Sequence, residues 1–330
     1  MQMYRIGIVL LPQAYLSSVS GVMDTFQIAN AHIRNQQGSQ APQYYCETLS
    51  QTSSAIVFQG GVKLEADVVL DDAGHYDMIY IPAFFYQGME SFEQMAAEHK
   101  PLLNWMVARW KKGASIACNC TAAFLLAKTG LLDGRKATTS WWLERQFRQC
   151  FPWVQLDLQV RVTEDERLFC SAAMTAHYFL ALWLIEQQSG PALADLCSKT
   201  MLIDYRDRTQ PAYQNLLIDS KSEDPLVAKT QYWLKNHLRE DFNLSGLADI
   251  MQVSQRTLIR RFKTELDVPP LKYLQNLRIE TAKQLLENTN IMLSDVIVQV
   301  GYSDVSSFSR LFKRRIGLSP SAYRQRFQLR

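Results

Sequence analysis

Two sets of residues in this 330-residue chain have the types and spacing to do chemistry. The first is basic. Arg256, Arg260 and Lys263 recur at i, i+4 and i+7, on a different helical face from Leu258 and Phe262. Fifty residues on, Ser306, Ser309, Arg310 and Lys313 repeat the arrangement around Phe308 and Phe312. Arginine can donate two hydrogen bonds to guanine O6 and N7, while Lys and Ser can hold phosphates. Two such faces at a fixed offset predict two helices that read double-stranded DNA. The second set centres on Cys120. It follows the apolar run SIACN and precedes TAAFLLAK, where an α/β protein places a nucleophile on a strand-to-helix elbow. A small buried cysteine fits the same local sequence.

The elements that must position these residues fall into two halves. Arg5 to Leu11, Asp77 to Pro82 and Ser115 to Ala117 are continuous apolar runs, expected as strands buried on both faces. Ser20 to Ala31 and Ser91 to Lys112 read as the helices between them, the second opening on a Ser-x-x-Gln capping pattern. This alternation predicts a parallel α/β sheet with helices on both faces, over residues 1–207. A polar stretch bracketed by Pro211 and Pro225 predicts a linker over 208–225. From 226 to 330 the pattern is all-α.

That last part is a duplicated unit. Leu247 to Tyr273 and Ile297 to Tyr323 match at an offset of 50, pairing Arg260 with Arg310, Phe262 with Phe312, Lys263 with Lys313, Pro270 with Pro320 and Tyr273 with Tyr323. Each copy predicts a support helix (Ser245 to Met251, Ser294 to Val300), a turn and a recognition helix. Ser254 is the expected cap of the first recognition helix, and the second starts near Asp304, with Val305, Phe308 and Phe312 packing inward. Leu271 to Leu286 joins the copies. Charge follows the same division: residues 225–330 carry 17 Lys+Arg against 9 Asp+Glu, the rest 18 against 23. A basic tail on an acidic front suits a nucleic-acid module attached to another domain. The six cysteines are scattered without a C-x-x-C pair, so the expectation is a reduced, cytoplasmic protein with no metal and no cofactor. The longest uncharged run, Leu168 to Ile185, is shorter than a membrane helix needs and is expected as a buried element.

Residues 226 to 327 resemble the DNA-binding domain of the AraC/XylS family, on Gly301-Tyr302-Ser303, Phe308 to Arg314 and Gly317 to Arg324. The resemblance implies two helix-turn-helix motifs on one long helix, entering successive major-groove faces about 34 Å apart. It carries base reading to Arg256, Ile259 and Arg260, then Val305, Ser306, Ser309 and Arg310. The front half resembles the ThiJ/PfpI superfamily, which has a class I glutamine amidotransferase-like, flavodoxin-like fold. The match rests on Cys120-Thr121-Ala122-Ala123-Phe124, Gly130 to Arg135, Ala137-Thr138-Thr139 and Trp141. Family enzymes pair the elbow Cys with a His and often an acid. Here the His position is Ser140, the elbow Gly is Ala122, and the acid falls near Asp24. A cysteine without a base lacks the usual activation. The resemblance therefore implies no catalytic residues, but a small-molecule effector pocket around Asp24, Cys120, Thr121 and Ser140. Amino acids, betaines or other nitrogen compounds are the effector classes it suggests. It also implies a front domain that pairs as a homodimer, with RNA polymerase as a further candidate partner. The rival readings are a cysteine-dependent amidase or hydratase with a DNA-binding tail, and a thiol redox sensor using Cys120 with Cys118.

Overall fold

A computed structural model describes residues 3–328, apart from 39, 42, 59, 207–209, 214, 217–221 and 242. The chain divides into two compact units, 1–210 and 211–330.

The front unit is built on a seven-stranded sheet. Its chain order is β1 (Met3–Val9), α1 (Leu16–Gln37), β2 (Gln43–Ser50), a ribbon of β3 (Ile56–Val57) and β4 (Lys63–Leu64), β5 (Val68–Val69) and β6 (Met78–Ile81). Next come α2 (Met89–Glu98), α3 (Lys100–Lys111), β7 (Ser115–Asn119), α4 (Ala122–Lys128), β8 (Lys136–Ala137), α5 (Glu144–Cys150) and β9 (Gln155–Leu156). The unit closes with β10 (Val162–Asp165), β11 (Leu168–Ser171), α6 (His177–Ser189) and α7 (Pro191–Met201). The sheet runs β10-β11-β7-β6-β1-β2-β5, parallel except for the edge strand β10. The central strands are buried along consecutive residues: Met78 to Ile81 and Ile6, Ile8 and Val9 have almost no exposure. Strands buried on both faces need apolar residues at every position, which is why these runs do not alternate. Helices α1, α6 and α7 pack on one another, and α2, α3 and α4 form a second group.

The expected helix over Ser91 to Lys112 is two helices that meet at His99. Pro101 lacks an N–H and is tolerated only in a first turn, so α3 starts afresh there. Ser91 is not a cap; Gly88 precedes the first turn of α2. The run Leu168 to Ile185 is split into β11 and the first part of α6. No helix among the described residues is long and apolar enough to cross a membrane.

The second unit contains α8 (Pro225–Asn236), α9 (Leu244–Ile250), α10 (Gln255–Leu266), α11 (Pro270–Asn288), α12 (Leu293–Gln299), α13 (Val305–Ile316) and α14 (Pro320–Phe327). It has two separate apolar cores. One gathers Val227, Leu234, Leu247, Leu258, Phe262, Leu274 and Leu277; the other gathers Ile279, Ala282, Leu286, Val296, Phe308, Phe312 and Tyr323. The repeat pair Phe262 and Phe312 is fully buried, one ring in each core. The stretch expected as a free linker is partly docked. Ala212 and Leu216 join the second core, Leu216 N–H donates to Glu280 Oε1 at 3.0 Å, and Arg326 donates to the Tyr213 hydroxyl at 2.9 Å. Within the linker, residues 208–209, 214 and 217–221 lie outside the described residues.

Gly21 lies where α1 crosses α6. A Cβ there would fall inside the van der Waals envelope of the buried His177 ring. Gly21→Ala is therefore expected to lower the stability of the front unit by about 1–3 kcal/mol, despite alanine's better helix propensity. The check is the urea midpoint of the full chain's front-unit transition. An unchanged or higher midpoint would mean that His177 moves aside freely.

Candidate functional site

The recognition helices are the first candidate. Ser254 caps α10 by accepting from Thr257 N–H at 3.1 Å, and Asp304 caps α13 by accepting from Ser306 and Ser307 N–H. Each cap supplies acceptors for first-turn donors that have no intrahelical partner. Leu258, Phe262, Phe308 and Phe312 then face the cores. The opposite faces carry the predicted readers. Arg256, Arg260 and Lys263 are exposed, as are Ser306, Arg310 and Lys313; Ile259 and Ser309 are half-buried. Val305 does not pack inward: it is 43% exposed at the first residue of α13, beside Ser306. The helical stripe assigned it to the core one turn too early, because the cap turns the chain before Phe308. Arg261, next to Arg260, is a different case. It pairs with Asp224, the N-cap of α8, and so ties the recognition helix α10 to the start of α8.

The cysteine elbow is the second candidate. Cys120 joins β7 to α4 with φ 55°, a left-handed conformation unusual for a residue with a side chain. Its N–H donates to Ser171 O at 2.8 Å, and its carbonyl accepts from Thr139 Oγ1 at 2.8 Å. Phe124 on α4 anchors the turn, with its ring against those of Phe92, Phe147, Phe151 and Tyr86. Predicted pocket residues Cys120, Thr121 and Ser140 do come together, all almost fully buried. Cys120 Sγ lies 2.9 Å from Ser140 Oγ, which donates to Ala172 O at 3.1 Å. Ser140 has one proton, and the carbonyl can only accept it. Cys120 is therefore the donor to Ser140, a protonated thiol. Burial pushes this thiol up to about 11. Thr121 Oγ1 is committed to Phe84, accepting from its N–H at 2.9 Å and donating to its carbonyl at 2.8 Å.

Asp24 is not part of the elbow. It is exposed on α1, and the residue of that helix that reaches the elbow is Ser18, about two turns earlier. Ser18 Oγ accepts from Asn119 Nδ2 at 3.1 Å and Ala83 N–H at 3.0 Å, and lies 2.8 Å from the Tyr80 hydroxyl. Sequence reading missed Ser18, Tyr80 and Asn119. The signal for Tyr80 and Asn119 was a polar group at the carboxyl end of a parallel strand; Ser18, on α1, had none. His177 gives the elbow no base. Its Nδ1 donates to Met174 O at 2.7 Å, and its buried Nε2 has no hydrogen-bond partner. Burial holds its pKa below the usual imidazole value, so the ring is neutral. Cys118 pairs in register with Cys170 on β11, both fully buried; burial first, then that neighbour and last Cys120 raise its pKa.

A cavity of about 260 Å³ lies beside the elbow. Gln13, Phe85, Gln87, Ser91, Glu98 and His99 are among the residues around it. Phe84, held by Thr121, forms its wall on the elbow side. The segments after β1 and β6 supply residues 12–13 and 84–87, so the cavity sits past the carboxyl ends of two neighbouring parallel strands. Among the described residues no cluster of His, Cys, Asp and Glu could hold a metal.

Residues 30–187 match the model of the DJ-1/PfpI family, and residues 247–326 match a helix-turn-helix domain model. The chain thus carries a region similar to the DJ-1/PfpI family followed by one similar to a helix-turn-helix domain. The HTH-type transcriptional regulator CdhR of Pseudomonas aeruginosa strain PAO1 is 27% identical over 315 residues, covering 94% of this chain and 89% of that protein. GbdR of P. aeruginosa strain UCBPP-PA14, also an HTH-type transcriptional regulator, is 26% identical over 322 residues, covering 97% and 84%. Both alignments therefore span the two units. Among solved structures, Drosophila melanogaster DJ-1beta superposes with a TM-score of 0.50 at 18% identity, covering 61% of this chain and all of that one. This likeness identifies the fold of the front unit and nothing more.

The proton inventory at the elbow has a pH consequence. The folded thiol is pushed from an ordinary value of 9.0 to about 11, so the fold favours the protonated form. That contribution to stability is intact below about pH 9 and is lost as pH rises through about 11. At pH 8 Cys120 is therefore held as the thiol. Alkylation of the native chain, read by peptide mass, is expected to mark the exposed Cys150 first and to spare Cys120. Preferential labelling of Cys120 at pH 8 would contradict the assignment.

Proposed function

We propose that this protein is a sequence-specific DNA-binding transcription regulator whose front unit binds a small-molecule effector. The observation that carries the reading is the pair of N-capped helices α10 and α13. Each is seated on its own core and presents an exposed basic face, at the same offset of 50 residues. Arg256 and Arg310 are the direct readers of base edges, with Arg260, Ile259, Val305, Ser306 and Ser309 beside them. Lys263 and Lys313 hold phosphates. The curated relatives that span both units are named HTH-type transcriptional regulators.

The effector site is the cavity beside the elbow, rather than the elbow itself. Its position past the carboxyl ends of β1 and β6 is where open α/β sheets take ligands. Its lining mixes aromatic rings with amides, a serine and a carboxylate. Effector binding shifts the equilibrium between states that differ in how they engage DNA, acting only through its difference in affinity for those states. The cysteine-enzyme reading has less support: the hydrogen-bond partner of the Cys120 thiol is the Ser140 hydroxyl, and among the described residues no basic side chain is bonded to it. The redox pairing of Cys118 with Cys120 has less support too, because Cys118 faces Cys170.

Genome-wide DNA capture with the full chain tests this reading. Wild type is expected to recover one motif with two short blocks a helical turn apart. Arg256→Ala and Arg310→Ala should each weaken binding to that motif by about 1–3 kcal/mol, with discrimination relaxed in one block only. Ser91→Trp, which fills the cavity, should capture the same motif but lose any dependence on growth medium. Recovery of no motif in any medium would overturn the proposal.

A further inference from the structure

The two cores of the DNA-binding unit meet at one residue. On α11, Tyr273, Leu274 and Leu277 belong to the first core, and Ile279, Ala282 and Leu286 to the second. Arg278 stands between them, 8% exposed. Its Nε donates to Leu238 O at 3.1 Å and its Nη2 to Glu240 O at 2.9 Å. Those carbonyls follow the C-terminus of α8, where a cation also meets the negative end of the helix dipole. On its other side the guanidinium lies 5.2 Å from the centre of the Tyr302 ring, in the turn between α12 and α13. Tyr302 in turn packs against Phe308 of α13, with ring centres 5.0 Å apart. Gly301 lets these parts approach. It has φ 77°, and a Cβ there would lie 2.6 Å from Leu238 O and 2.8 Å from Arg278 Nη2.

We propose that Arg278 is a positioning residue that clamps the two helix-turn-helix halves at a fixed angle and separation, so that the operator must present its two blocks at one spacing. The proposal rests on the regulator reading for its consequence on DNA, but not for the clamp itself. Without the clamp the halves are held only through α11 and the approach of Gly301 to Leu238 O, and could swivel more widely about α11. One inserted base pair moves a block by about 3.4 Å and rotates it by about 34°. A rigid pair cannot follow that shift; a hinged pair can. Lysine would keep a charge over Tyr302 but could not fork to both carbonyls.

The test uses the full chain in two arms. In the first, the captured duplex is rebuilt with one base pair added or removed between the blocks. Wild type should lose at least about tenfold in affinity on either change. Arg278→Met, which keeps the stem and removes the donors, should retain less than about threefold discrimination, with Arg278→Lys in between. In the second arm, without DNA, bio-orthogonal spin labels are placed at the exposed Thr264 and Arg314, near the ends of the two recognition helices. One narrow distance distribution is expected for wild type and a broad one for Arg278→Met. Circular dichroism melting checks folding, and Arg278→Lys decides the matter if the Met variant does not fold. Undiminished spacing discrimination together with an unbroadened distribution would overturn the clamp. If no duplex is captured, the regulator reading fails, and the distance arm alone decides the clamp.

Discussion

The nineteen-residue helix α11 buries its first half in one apolar core and its second half in another, and the geometry of both recognition helices depends on that arrangement. A helix of this length spans about 28 Å. Each half must therefore build its own small core around one phenylalanine of the repeat, Phe262 or Phe312. Neither core is large, so the local devices matter more than they would in a larger domain. The caps Ser254 and Asp304, the Asp224–Arg261 pair and the docked Ala212 and Leu216 each fix one end of an element to its neighbour. Basic residues left over from this packing, such as Arg256 and Arg310, are then free to face solvent.

The front unit follows a different constraint. A strand-to-helix elbow holds Cys120 in left-handed backbone because Ser171 and Thr139 bind its N–H and carbonyl. Such local strain persists only where the surroundings over-determine it. Around that elbow the polar groups are held by other partners. Ser140 donates a hydrogen bond to the Ala172 carbonyl, Ser18 stands where α1 meets the site, and His177 is turned to Met174. What remains open is the neighbouring cavity at the strand ends. A fold that positions a nucleophile thus also supplies a sheltered place for a ligand.

Much of this was legible in the sequence because periodicity and repetition report burial directly. The strands β1, β6 and β7 were visible as unbroken apolar runs, and the recognition helices as two copies of one pattern. Thr121 follows from its place next to Cys120 and Ser140 from the family resemblance, and Ser140 does meet Cys120. Asp24 does not, because a helix can be recognised without knowing which of its turns meets the site; Ser18 looks like any surface serine until α1 is docked. Val305 failed for a related reason, since a cap residue changes the direction of the chain before the stripe begins. The break at His99 was signalled by Pro101 and overridden by the apolar pattern around it. The cavity and the Arg278 junction join residues far apart in the chain, and single-sequence patterns carry no information on such meetings.

The central claim is that two helices of one chain read one face of a duplex, one helical turn apart. Hydroxyl-radical footprinting of the full chain on its captured duplex tests this most directly. The account predicts two protected blocks on the same face, their centres about 10 base pairs apart, under a single chain. A single block, or two blocks that appear only as a second chain binds, would contradict it.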